Sequence, residues 1–246
     1  MNPKEFVERL SIQNIVCCFS GGKDSLVATH LIHEQLKDFS DIKKYVTFVD
    51  TTVMCPGTEG FVRDTASRFG WDLHVLRPKK DFWTLVESGH GMPTMHRRWC
   101  CFKLKLEPIK DFVSTLRRPR AEVTGLRRSE SIRRRNLKDL FYLSRGQVWK
   151  YAPIVSWSEA DVVQYIREHS LPMPPNYALG IKETCLCGAF STEKQMMNVR
   201  AHFPEFFQKF VELEKRFKKG GAAFYFHDKP RYARDMVRQR LLTETV

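Results

Sequence analysis

The segment Ser20-Gly21-Gly22-Lys23-Asp24-Ser25 constrains this chain more than any other. It follows the apolar run Ile15-Val16-Cys17-Cys18-Phe19 and precedes Leu26-Val27-Ala28-Thr29-His30-Leu31-Ile32, which has helical spacing. A buried strand, a glycine turn and a helix N-terminus in that order aim backbone N–H groups and the positive end of a helix dipole at an anion. The two glycines let the main chain approach a phosphate closely. Lys23 adds a point charge, and Ser20 and Ser25 add hydroxyl donors. The string is not G-x-x-x-x-G-K-[ST], so the ordinary P-loop pattern does not apply. The expectation is a nucleotide held by its phosphates; the alternative is a surface turn with a capping serine.

Bulk properties suit an enzyme of one large domain, or of a domain with an appendage, at 246 residues. Forty-one Lys and Arg against 28 Asp and Glu leave a net charge of +13. That excess points to a polyanionic partner, nucleic acid foremost, with a merely solubilising surface or small phosphorylated ligands as the alternative. No apolar run approaches a membrane span, and Met1-Asn2-Pro3-Lys4-Glu5 lacks a signal-peptide pattern. A cytoplasmic location without a membrane partner is therefore expected. Seven cysteines in such a setting point to metal or redox chemistry rather than disulfides.

The pattern predicts a helix over 4–12, a strand at 15–19 and a helix over about 24–37. A strand at 45–49 ending at Asp50, a helix from Thr58 to Phe69, and strands at 73–76 and 121–124 follow. Strands alternating with helices imply an α/β fold, a doubly wound parallel sheet with right-handed crossovers. Ligands on such sheets bind beyond the carboxyl ends of the strands. Gly21-Gly22, Asp50-Thr51 and Gly125-Leu126-Arg127 fall there and are expected to line one crevice. Residues 1–190 are expected to form the nucleotide-binding domain with its cysteines, and 191–246 a helical, basic extension. Within it, Phe203, Phe206, Phe207, Phe210 and Phe217 recur at threes and fours, interrupted by Pro204. That stripe reads as core packing rather than base stacking. The tail carrying Arg231, Arg234, Arg238 and Arg240 reads as a basic helix, suited to a phosphate backbone or to a solvated face.

Cys100-Cys101 lies among Arg97, Arg98, Lys103 and Lys105, and Cys185-Leu186-Cys187 follows far downstream. Two thiol pairs can converge on one centre, and thiolate-only sites fit zinc or an iron–sulfur cluster. The adjacent pair departs from zinc-type spacing. The four cations would stabilise thiolates and an anionic cluster. Unrelated buried cysteines are the alternative. Cys17 and Cys18 read as core residues. Cys55, in a loop leaving a strand end, is either a sulfur-carrying nucleophile or an ordinary loop thiol. His30 and His33 share a helix face without a third ligand, and His90, His96 and His227 lack a partner pattern.

Five ordered motifs are similar to those of the phosphoadenosine phosphosulfate reductase family, with SGGKDS matching the PP-loop of ATP pyrophosphatases. They are SGGKDS at 20–25, VDTTVMCPGTEGF at 49–61, RWCCFKLKLEPI at 98–109 and GLRRSESIRRR at 125–135. The fifth is YAPI at 151–154 with Trp157, followed by NYALG at 176–180 and the second cysteine pair. The resemblance implies an adenine-nucleotide-binding α/β fold in which Ser20, Gly21, Gly22, Lys23, Asp24 and Ser25 hold phosphates. It implies that Gly125 borders the site and that Arg127 and Arg128 reach phosphate or sulfate oxygens. Cys100, Cys101, Cys185 and Cys187 match the cysteines that hold a 4Fe–4S cluster in the cluster-binding subset.

Two departures bear on the reaction. The second cysteine pair is C-x-C where that subset has C-x-x-C, so one iron is expected to be held differently or left open to sulfide. After Cys187 the sequence given contains no cysteine, whereas the reductases use a Glu-Cys-Gly thiol there. The resemblance thus favours the branches that adenylate a nucleic acid and replace oxygen with sulfur, as in DNA phosphorothioation or tRNA thiolation. Its cofactors would be ATP, Mg²⁺ and the cluster. Its partners would be DNA or tRNA, a sulfur donor such as a cysteine desulfurase, and a second subunit in a homodimer. Lys23, Arg127 and Arg128 would stabilise phosphate charge, Asp50 would orient ribose or metal, and Cys55 or an open iron would carry sulfur. The alternatives are a sulfonucleotide reductase producing sulfite, and a non-enzymatic cluster-bearing subunit.

Overall fold

The structure, a computed structural model, describes residues 1–93 and 97–219, the last six by backbone alone. The basic tail with Arg231, Arg234, Arg238 and Arg240, together with His96, His227 and the Phe217 side chain, lies outside the described residues. The chain separates into two compact units that interleave along the sequence. One comprises Met1–Val49, Glu59–Leu76 and Pro108–Pro174; the other comprises Asp50–Thr58, Arg77–Glu107 and Pro175–Val246.

The first unit is built on a six-stranded sheet: β1 Asn14–Cys18, β2 Lys43–Val49, β3 Asp72–Leu76, β4 Arg120–Val123, β5 Leu140–Leu143 and β6 Val148–Tyr151. Their order is β3-β2-β1-β4-β6-β5, all neighbours parallel except the antiparallel β5–β6 hairpin. Ile15, Val16 and Cys17 of β1 are wholly buried, the composition expected of a central strand covered on both faces. The helices are α1 Pro3–Leu10, α2 Lys23–Gln35, α3 Thr58–Arg68, the four-residue α4 Phe82–Leu85, α5 Glu107–Ser114, α6 Glu159–Glu168, α7 Glu193–His202 and α8 Pro204–Lys219. Chain order reverses direction across the sheet between β1 and β4, so a crevice opens where 19–22 and 124–127 leave the strands.

The β5–β6 hairpin and α6 carry no expectation from the sequence. In β6, Lys150 interrupts the apolar pattern, and its partner is the buried Glu122 of β4. A strand stabilised by a cross-strand ion pair leaves little hydrophobic signature.

In the second unit, Val53, Cys55, Phe82, Leu85, Cys100, Leu104, Leu186, Cys187, Phe207 and Phe210 share one core. Pro204 ends α7 and starts α8, as expected of a residue that cannot donate in a helix interior. Phe207 and Phe210 are buried and Phe203 and Phe206 pack at the margin, so the aromatic stripe serves packing. Trp83 meets Phe210 edge-on at 4.9 Å between ring centroids.

Candidate functional site

In the first unit, Gly21 holds φ 80°, the left-handed turn that carries the chain from β1 into α2. The Ser25 hydroxyl donates to the Gly22 carbonyl at 2.8 Å, accepts from the Ser20 amide at 3.1 Å and sits 3.0 Å from Ser20 Oγ. Ser25 thereby closes the turn. Gly22 caps α2 with no side chain, so the first-turn N–H groups are left for an anion. Gly125, beyond β4, lies against the same turn: a Cβ there would come 2.4 Å from the Asp24 carbonyl oxygen.

Two cations and two carboxylates form a ring at this helix N-terminus. Lys23 Nζ lies 2.9 Å from Asp24 Oδ2 and 3.1 Å from Glu159 Oε2. Arg127 donates through Nε to Asp24 Oδ1 at 2.8 Å and through Nη2 to Glu159 Oε2 at 2.6 Å. Lys23 and Arg127 are buried, so their charges need partners. Ser129 Oγ accepts from Arg127 Nη1 at 3.0 Å and fixes the guanidinium plane. Burial pushes the Glu159 carboxyl up, but hydrogen bonding and the charges of Lys23 and Arg127 outweigh it and hold it below its ordinary value.

Glu159 is a site residue that the sequence reading missed. It is the first residue of α6, inside a capping box of Ser158 and Asp161, and the S-x-x-D string was its only local signal. Arg128 differs from Arg127: it is exposed, and its Nε donates to the Leu137 carbonyl at 2.8 Å.

In the second unit, four of the seven cysteines come together. Cys100 Sγ lies 3.6 Å from Cys187 Sγ, with Cys101 interacting with Cys100 and Cys185 with Cys187. The sulfurs therefore run Cys101, Cys100, Cys187, Cys185, and the Thr51 hydroxyl approaches Cys185 Sγ at 3.5 Å. The loop after β2 delivers this end: Met54 pairs with Cys185 in an antiparallel bridge, the Cys55 amide donates to Thr184 O at 2.7 Å and Leu186 N to Val53 O at 2.8 Å. The turn bearing Cys101 is a wide π-type turn over Cys101–Leu106, a distortion frequent at functional sites.

Hydrogen bonding between the sulfurs, then burial and mutual repulsion, push Cys100 and Cys187 up to about 12. Cys185 is raised well above the ordinary thiol value, chiefly by its bond to Cys187. Cys101 alone is lowered, by the bond from Cys100 with help from Lys105. Cys100, Cys185 and Cys187 therefore favour protonated thiols until a cation replaces the protons. Among the described residues no group of three or more His, Cys, Asp or Glu forms a ready-made metal cage. The all-sulfur donor set nevertheless fits an iron–sulfur cluster or a tetrahedral thiolate metal.

The remaining candidates fall as follows. Cys55 is buried, and burial pushes its thiol up to about 11, which leaves it protonated and weakly nucleophilic. Asp50 accepts from the Thr52 amide at 2.8 Å and meets Arg77 Nε at 3.3 Å, both within the second unit. Arg98 lies over the Phe190 ring and Lys103 pairs with Glu107 at 3.0 Å. His30 Nδ1 meets Tyr165 OH at 3.0 Å, and His33 packs near Trp71.

The six-stranded, mostly parallel sheet with its helices defines an α/β protein with a helix N-terminus at the sheet's switch point. The phosphoadenosine phosphosulfate reductase domain model matches residues 14–192, and the chain belongs to that family. An uncharacterized protein of Methanocaldococcus jannaschii is 31% identical over 221 residues, covering 87% of this chain and 51% of the relative. The chain thus spans about half the length of the curated relatives it matches. A phosphoadenylyl-sulfate reductase from Candida auris, solved with phosphate, has the same fold, with a TM-score of 0.55 at 23% identity over 75% of this chain and 87% of that one. The U34-tRNA thiolase NcsA from Methanococcus maripaludis, solved with its [4Fe-4S] cluster, has a TM-score of 0.52 at 12% identity over 92% of this chain and 80% of that one. No described helix is long and apolar enough to cross a membrane.

Proposed function

We propose that this chain is an ATP-dependent sulfurtransferase that adenylates an oxygen of a nucleic acid and exchanges that oxygen for sulfur. The observation that carries the reading is the use of the cysteines: four gather in the sulfur chain, and none of the seven is exposed. A sulfonucleotide reductase uses an accessible thiol to attack sulfur; of this chain's thiols only Cys18, Cys101 and Cys185 are half-buried rather than buried, and two of those three belong to the gathered set.

ATP phosphates occupy the 20–25 turn, where the first-turn amides of α2 and Lys23 receive them. Glu159 already presents a carboxylate oxygen to both Lys23 and Arg127, which marks where a phosphate oxygen would be held. Incoming phosphate displaces that carboxylate, and Asp24 would then offer an oxygen ligand of the kind Mg²⁺ takes. The acceptor oxygen attacks the α phosphorus, the bond from that phosphorus to the bridging oxygen breaks, and pyrophosphate leaves with its charge on Lys23 and Arg127. Hydrosulfide, free or released from a desulfurase persulfide by an external thiol that is oxidised to the disulfide, then attacks the activated centre; the new bond to sulfur forms as the bond to the original oxygen breaks, and AMP leaves with that oxygen. Cys100, Cys101, Cys185 and Cys187 would hold the cluster, whose chemistry is to bind and present sulfide.

The test is anaerobic incubation with ATP and Mg²⁺, with and without tRNA or DNA, assaying AMP and pyrophosphate. A parallel reaction offers adenylyl sulfate and thioredoxin and assays sulfite. Pyrophosphate release stimulated by one nucleic acid, and lost in Lys23→Ala, is the expected result. Sulfite formation without ATP cleavage would replace this reading with the reductase.

A further inference from the structure

Residues 127–150 of the first unit hold eight Lys or Arg against two Asp or Glu, nearly half of the chain's net +13. They begin in the charge ring, since Arg127 is their first member. Arg128 Nε donates to Leu137 O at 2.8 Å and ties the stretch bearing Arg133, Arg134, Arg135 and Lys138 back to the residue that follows Arg127. Arg134 pairs with Glu130. The strip then enters β5, the outermost strand of the sheet. Its side chains are apolar and open to solvent: Phe141 is 42% exposed, Tyr142 50%, Leu143 40%, and Ile132 within the arginine run 84%. Tyr142 and Trp149, paired across the hairpin, set their rings 5.0 Å apart.

Arginines alone would suit any polyanion, and an apolar edge alone would suit a second copy of the chain. Their interleaving selects among partners. A duplex hides the faces of its bases, whereas a looped RNA presents bases for stacking beside its phosphates. Two copies joined along β5 would bring two positive strips together, which charge repulsion opposes. We propose that residues 132–142 form the docking surface for an RNA with unpaired bases. Arg133, Arg135 and Lys138 would contact its phosphates and Ile132 a base, while Phe141 and Tyr142, on opposite faces of the edge strand β5, would offer unpaired bases a ring on either side of the sheet edge. This rests on the nucleic-acid acceptor proposed above and places that acceptor's path beside Arg127.

The test uses the full chain and a fluorescein-labelled RNA hairpin with an unpaired loop, against a blunt RNA duplex of the same strands, by anisotropy over a salt series. The hairpin should bind more tightly than the duplex. Arg133→Glu with Arg135→Glu and Lys138→Glu should weaken binding about tenfold or more and flatten the salt slope. Phe141→Ala with Tyr142→Ala should weaken hairpin binding about fivefold or more and leave duplex binding unchanged. RNA-independent affinity for ATP should be the same in all three proteins, which also reports folding. Both variants binding the hairpin as wild type does would overturn the surface, while RNA-stimulated pyrophosphate release would keep the acceptor reading standing. If no pyrophosphate forms, the acceptor reading fails, and the anisotropy still decides the surface. A wild-type dimer that the aromatic variant splits without losing RNA affinity would make a second copy the occupant and refute the proposal.

Discussion

Gly125 touches the first turn of α2 so closely that a Cβ on it would come 2.4 Å from the Asp24 carbonyl oxygen and 2.6 Å from the Ser25 amide nitrogen. The obstacle is backbone, which cannot swing aside like a long side chain. This contact seats the loop after β4, with Arg127 two residues on, against the helix N-terminus that would receive phosphate. A glycine here is thus a condition for the charge ring, since any side chain would lift Arg127 off Asp24.

Gly125→Ala should therefore cost about 1–3 kcal/mol, the usual range for overpacking, and weaken ATP binding further by displacing Arg127. Thermal unfolding and equilibrium dialysis with ATP measure the two effects. A variant as stable as wild type with unchanged ATP affinity would show that the contact is not needed.

Glu159→Gln should tighten ATP and pyrophosphate binding severalfold, because it removes the anion that competes for Lys23 and Arg127. Its folded pKa is depressed, so its stabilising effect is present above the unfolded value near 4.5 and is lost as pH falls through the folded value. The side chain is 62% exposed, so screening limits that effect to below about 1 kcal/mol. Isothermal titration at neutral pH reads the affinity; weaker binding in the variant would mean that Glu159 supports the ligand.

His33 predicts an acid-sensitive fold. Its Nε2 is buried with no hydrogen-bond partner among the described residues, and burial, helped by Lys44 and His30, lowers its pKa to about 4. Between 6.5 and about 4 the unfolded chain binds the proton that the folded chain refuses, so stability falls with pH across that window. The loss should be roughly 1–3 kcal/mol and should be smaller in His33→Leu, as measured by urea midpoints at several pH values. Parallel pH profiles for the two proteins would assign the effect elsewhere.

Cys187→Ser should abolish incorporation of iron and acid-labile sulfide on anaerobic reconstitution, whereas Cys55→Ser should retain both and lose only stability. Both thiols are buried in the same core, so equal packing costs do not separate them; only Cys187 touches Cys100. Metal analysis of the two purified variants is the check. Equal metal content in both would remove Cys187 from the ligand set.

The strand, glycine turn and helix at 14–35, the parallel strands β1 to β4 and the break at Pro204 were legible in the sequence. Each rests on short-range rules: apolar periodicity, the φ freedom of Gly21, the missing donor of proline. The stripe of phenylalanines was legible as packing for the same reason. The β5–β6 hairpin was not, because its strands are short and β6 is held by the Lys150–Glu122 pair rather than by a continuous apolar face.

The sequence alone therefore determined the strand, turn and helix at 14–35, strands β1 to β4 and the helix break at Pro204, and put forward candidates for the site, since such elements follow from neighbours a few positions apart. Only the tertiary structure decided their partners. Arg127 reaches Asp24 across 103 positions and Glu159 across 32, and Cys100 meets Cys187 across 87. Contacts at such separations depend on how sheet and helices pack, and no local pattern encodes them. That is why Glu159 emerged unannounced, and why Cys55 proved to be a buried core thiol.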